Sequence, residues 1–191
     1  MIVRQTSLLK DFHIKVLLVL GCTLVYFYAF KVNLVLFDWL NFSHGTNWIF
    51  LPSGLRLLFV LVLIQSGAVG VAIASCLINF VYGEDGLYTF KIVTGIISGS
   101  APLIARQICI DYFKLDPNIK NLTSKMYFIV SVVFAFISGF MHQIWYYWNG
   151  ATDNFLASAL VMSIGDWCGS VLILATASLL IKFYRIVTTG S

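Results

Sequence analysis

The chain has 191 residues, 60% hydrophobic and only 10% charged, with a net charge of +4, where soluble domains carry about 25% charged residues. So little polar surface excludes a soluble fold, and with it a soluble catalytic domain. The few lysines and arginines flank apolar runs, which gives no reason to expect nucleic acid as a partner.

Several runs approach the roughly 20 apolar residues that cross a hydrocarbon core. The expected class is therefore an all-α, polytopic transmembrane helical bundle of about six spans, a single domain over 1–191 with the lipid bilayer around it. The first span is predicted at 14–37. Arg4, Lys10 and Lys15 ahead of it, and Val19-Leu-Gly-Cys22 within it, superficially resemble an export signal. The run continues well past Cys22, longer than a cleavable core requires, so it reads as a retained span. A short polar connection at 38–47 leads to a second span at 48–64. Gln65-Ser-Gly67 is expected to turn the chain into a third span at 68–82, and Gly83-Glu-Asp-Gly86 is a further turn signal. The remaining spans are predicted at 88–110, 126–148 and 155–181. Cys22, Cys76, Cys109 and Cys168 are far apart and read as small buried hydrophobes.

Counting cations assigns a side to each end. With six spans, Arg4, Lys10, Lys15, Lys114, Lys120, Lys125, Lys182 and Arg185 share one side, with Arg106 snorkelling toward it, and only Lys91 falls on the other. The positive-inside rule then places both termini in the cytoplasm. Trp39, Trp48, Trp145, Tyr146 and Trp148 gather near the outer interface, where amphipathic rings are favoured.

The residues that stand out are those that cost most in lipid. Trp48-Ile-Phe-Leu-Pro52-Ser-Gly54-Leu-Arg56 carries a proline, a glycine and a cation into the second span. Pro52 starts or breaks the helix, and Arg56 needs a partner. Asp166 is the candidate: at 1.5 Å per residue Arg56 lies about 12 Å and Asp166 about 16 Å below the outer ends of their helices. The pair either participates in function or fixes packing. Gly165 and Gly169 around Asp166, like Gly95 and Gly99, have the spacing that lets backbones approach closely. His142, Trp145 and Tyr146 share a helical face. With Gln143 they either line an outward-opening pocket or form an aromatic belt with one hydrogen-bonded histidine. Pro102 either interrupts the fourth span or kinks it. No nucleophile beside a base, phosphate loop or metal-ligand cluster is legible, so neither enzyme activity nor any cofactor or metal is expected.

Through Trp48-x-x-x-Pro52-x-Gly54 and Gly165-Asp166 the chain resembles the first class of bacterial membrane-associated sensor domains, in which an early span opens with tryptophan, proline and glycine and a late span holds an acidic residue. The resemblance implies a bacterial inner-membrane protein that binds or senses a signal. Family members have about eight spans and feed a cytoplasmic output module, so a chain of this length would act through a membrane protein partner or as a homo-oligomer. The expected ligand-binding residues are Trp48, Pro52, Arg56, His142, Gln143, Trp145 and Asp166, with a small molecule as ligand. Six spans in this length also look like the specificity components of vitamin importers, so a small transporter or its substrate-binding subunit is the alternative. An accessory subunit of a larger membrane complex is a third reading.

Overall fold

A computed structural model describes the backbone of residues 2–83 and 87–189 and the side chains of residues 11–83 and 87–179. Glu84 to Gly86 of the expected turn, and the side chains of Arg4, Lys10, Lys182 and Arg185, lie outside the described residues. The elements are α1 (Ile2–Phe37), a single 3-10 turn, a hairpin of β1 (Asn41–Ser43) and β2 (Thr46–Asn47), and then α2 (Leu51–Leu63), α3 (Gln65–Tyr82), α4 (Tyr88–Phe113), α5 (Ser124–Trp148) and α6 (Phe155–Thr189). The protein is an all-α helical bundle, and five of its helices are long and apolar enough to cross a membrane.

α2 is the exception. Residues 48–50, counted in the second predicted span, are not helical, and the helix has only 13 residues, about 20 Å at 1.5 Å per residue. Pro52 falls in its first turn, where a missing N–H costs no helical hydrogen bond. The turn into α3 also differs from expectation. It is made by Ile64, at φ 49°, a conformation uncommon for a β-branched residue. Gln65, Ser66 and Gly67 already belong to α3. Gly67 lies against the Phe59 carbonyl, where a Cβ would collide, so its missing side chain lets α3 fold back tightly on α2. Pro102 neither ends nor interrupts α4, which runs helical from Tyr88 through Phe113.

The helices alternate in direction. The hairpin, the end of α3 at Tyr82, the start of α4 at Tyr88 and residues 148–155 form one end of the bundle, and the α2–α3 and α4–α5 connections form the other. α2 sits in the middle, against α1, α3, α4 and α6. Its lower half joins a core of Leu57, Leu61, Ala101, Ala105, Cys109, Tyr127, Val130 and Phe134. A second cluster, Tyr26, Val71, Ala74 and Ile78, joins α1 to α3. All four cysteines are free, with Cys22 and Cys109 buried and the other two half-buried.

Arg106 does not snorkel into solvent. It is buried, and a guanidinium nitrogen donates to the Pro117 carbonyl in the α4–α5 loop. That loop is further tied by Leu115 N–H to the Cys109 carbonyl (3.0 Å) and Asn121 Nδ2 to the Lys114 carbonyl (2.8 Å). Arg106→Met is expected to speed tryptic cleavage after Lys114 and Lys120 while costing about 1 to 3 kcal/mol of stability, as for one charge-assisted hydrogen bond. Limited proteolysis beside a melting curve checks this, and unchanged cleavage would deny the tie.

Candidate functional site

The site is built around residues 47–50, which cross the hairpin end of the bundle in a non-helical course before α2 begins, and around the first turn of α2. Asn47 Nδ2 donates to the Phe37 carbonyl (2.8 Å) and its Oδ1 accepts from Ile49 N–H (3.0 Å). Phe50 N–H donates to the Gly165 carbonyl (3.1 Å), and Leu51 N–H to Asn33 Oδ1 of α1 (2.8 Å). Ser53 Oγ is 2.7 Å from both the Phe50 and Asp166 carbonyls. These bonds satisfy the donors that a helix start leaves unpaired and clamp the segment between α1 and α6. The clamp needs bare backbone on the facing helices. A Cβ at Gly165 would strike the Asn47 carbonyl, one at Gly169 the Phe50 carbonyl, and one at Gly54 would lie 2.6 Å from the Gly169 carbonyl. The two motifs singled out in the sequence therefore pack on each other. Gly165 and Gly169 accommodate a non-helical strand of backbone here, rather than only the face of another helix.

One turn into α2, Arg56 is carried to the centre of the bundle, where it is 2% exposed. Nη1 donates to Ser138 Oγ (3.0 Å) and Nη2 to Tyr26 Oη (2.9 Å). The expected partner is close: Nη1 lies 4.0 Å from Asp166 Oδ2, an ion pair rather than a hydrogen bond. Arg56 also lies 5.8 Å from the centre of the Phe50 ring, within range of a cation–π contact. Among the described residues, Arg56 Nε and both Asp166 carboxylate oxygens have no hydrogen-bond partner.

A cavity of about 510 Å³ runs from the hairpin end down to Arg56. Asp38, Asn41 and His44 stand toward its mouth, Phe30, Phe50, Asn79 and Tyr82 on its walls, and Tyr26, Ser75, Ser98, His142 and Tyr146 toward its floor. The floor is hydrogen-bonded across five helices. Ser75 Oγ lies 2.9 Å from Ser98 Oγ, which lies 3.1 Å from His142 Nε2. His142 Nδ1 donates to the Ser138 carbonyl (2.8 Å), and the Ser138 hydroxyl leads to Arg56 and Tyr26. A carbonyl only accepts, so Nδ1 carries a hydrogen, and a neutral imidazole then accepts from Ser98 through Nε2. Below the floor the apolar core closes the bundle.

The sequence-predicted residues divide. Arg56 and His142 line the cavity, and Asp166 stands behind Arg56, outside the wall. Gln143 is turned toward the hairpin, donating to Thr46 Oγ1 (2.8 Å), so it holds the mouth in shape from outside the wall. Trp145 stacks on Phe90 at 6.0 Å between ring centres. It leaves the inner face to His142 and Tyr146, because successive residues on a helix diverge by about 100°. Trp48 packs edge-on against Phe42 and Pro52 belongs to the α2 start; neither lines the cavity. Tyr146, expected in the interfacial belt, is 4% exposed, whereas Trp39 and Trp148 are 78% and 81% exposed. Tyr26, Ser75, Ser98 and Ser138 were not singled out as site residues. A hydroxyl in an apolar run carries no positional signal; the nearest thing to one is the Ser98-Gly-Ser100 cluster in α4.

Among the described residues no group of three or more histidine, cysteine or acidic side chains could hold a metal ion. Comparison with protein-family models, with curated proteins and with solved structures returns no match.

Proposed function

We propose that the chain is an integral membrane ligand-binding module of the sensory kind, receiving a small molecule at its hairpin end and acting through a membrane partner. The observation that carries this is the cavity of about 510 Å³ that leads polar side chains to a buried arginine. Ligand sites characteristically are concave, of about 300 to 1,000 Å³, with few and convergent polar groups, and an ionisable residue at membrane depth marks a functional site by default. The resemblance to membrane-associated sensor domains agrees with the mutual packing of the Trp48 to Gly54 and Gly165 to Asp166 motifs. The cations Lys15, Arg106, Lys114, Lys120 and Lys125 lie toward the end opposite the hairpin. The positive-inside rule then turns the cavity mouth outward and both termini to the cytoplasm, as in a bacterial inner membrane. The apolar core beneath the floor favours binding without passage.

The test is a screen of small water-soluble compounds by thermal melting of the purified protein, followed by uptake into vesicles. A true ligand at 100 times its Kd adds about 2.7 kcal/mol of stability. At least one compound is expected to bind, to remain outside sealed vesicles, and to bind less well to Tyr26→Phe. Accumulation inside the vesicles would instead make the chain a transporter or its substrate-binding subunit.

A further inference from the structure

We propose that the cavity selects a neutral, hydrogen-bonding molecule with a flat ring and rejects anions and cations of the same shape. This rests on the ligand-binding reading above and adds the ligand's charge class. Arg56 faces the cavity, but its charge is already balanced by Asp166 at 4.0 Å, the only ion pair among the described residues. Among the described residues no acidic side chain pairs with His142, and the neutral imidazole satisfies both ring nitrogens through Ser138 and Ser98. The other polar groups around the floor are hydroxyls, and Asp38 stands exposed at the rim. The floor therefore sums to zero charge. A charged ligand brought there would be a buried ion without a counter-ion, which costs far more than burying a dipole whose hydrogen bonds are met.

The floor hydroxyls also offer hydrogen bonds. Tyr26 Oη accepts from Arg56 Nη2, which leaves its own hydrogen free to donate to an acceptor such as a carbonyl oxygen. Above them, Phe30 lies 5.6 Å from Tyr82 and 6.3 Å from Phe50 between ring centres, so aromatic surface surrounds the space a ring would enter.

Benzamide, benzoate and benzylamine share one ring and differ chiefly in charge, which makes them the probes. In thermal melts of the whole purified protein at equal millimolar concentrations near neutral pH, benzamide is expected to raise the melting temperature and to bind about tenfold or more tightly than either ion. Asp166→Asn leaves Arg56 uncompensated, so its preference is expected to move to benzoate. Arg56→Gln with Asp166→Asn restores a neutral floor and is expected to prefer benzamide again, which keeps the test decisive if the single variant does not fold. Benzoate or benzylamine binding the unaltered protein as well as benzamide overturns the charge class while leaving a ligand site in place. A series in which none of the three shifts the melt overturns the ring-binding cavity itself.

Discussion

Replacing Arg56 with alanine is expected to cost the bundle about 3 to 5 kcal/mol, more than the double change Arg56→Leu, Asp166→Leu, because breaking one side of a buried pair leaves an uncompensated charge. The single change strands the Asp166 carboxylate, 1% exposed and with neither oxygen hydrogen-bonded. It also removes the donors that satisfy Ser138 Oγ and Tyr26 Oη. In the double variant those hydroxyls lose their partner just as they do in the single one, but no charge remains and leucine refills most of the space. Unfolding in detergent, followed by far-UV circular dichroism, separates the cases. A double variant at least as unstable as the single would mean that the carboxylate at 4.0 Å contributes nothing, and that the hydroxyls alone hold Arg56.

The second large effect is expected at Gly169. Its alanine variant should lose more than about 3 kcal/mol, beyond the usual cost of overpacking, because the added methyl group meets backbone rather than a side chain that can rotate away. The atom in the way is the Phe50 carbonyl oxygen, with Ser53 Oγ 2.7 Å from the same position. Moving either displaces the clamp that places Arg56, so compound binding should fail along with stability. Gly21 is the internal control: a Cβ there meets nothing within 4 Å. Gly21→Ala should gain a few tenths to about 1 kcal/mol from helix propensity. Melting curves in which Gly169→Ala and Gly21→Ala coincide would show that the close approach of residues 47–50 to α6 does not constrain the fold.

The starts at Tyr88 and Phe155 and the end at Trp148 coincide with the predicted boundaries, because each is a point where an apolar run meets turn-forming residues. The errors lie where the backbone does something local composition does not record. Residues 48–50 are as apolar as the helix that follows, yet their amides pair with the Leu40 carbonyl, Asn47 Oδ1 and the Gly165 carbonyl instead of with their own turn. Gln65-Ser-Gly67 looks like a turn, but Gly67 is small for the sake of packing against Phe59. The β1–β2 hairpin was anticipated only as a polar connection. Its signal is Gly45, which takes φ +62° in the turn, a region that favours glycine.

What the linear chain settles is therefore the solvent and the class of element. Burying some 20 apolar residues in lipid is a sum over neighbours along the sequence, insensitive to what lies across the bundle. It also flags Arg56 and Asp166, since the cost of a charge in lipid belongs to the residue itself. Which groups meet that cost was decided only by the fold. The contacts of Gly54, Gly165 and Gly169 set the depth and rotation of α2 against α6, and the turn at Ile64 brings α3 beside α1. Those contacts bring Tyr26, Ser98, Ser138 and His142, from three other helices, around one guanidinium and one cavity. Hydrogen bonds act within about 3 Å, and no pattern along the chain specifies separation across it to that precision.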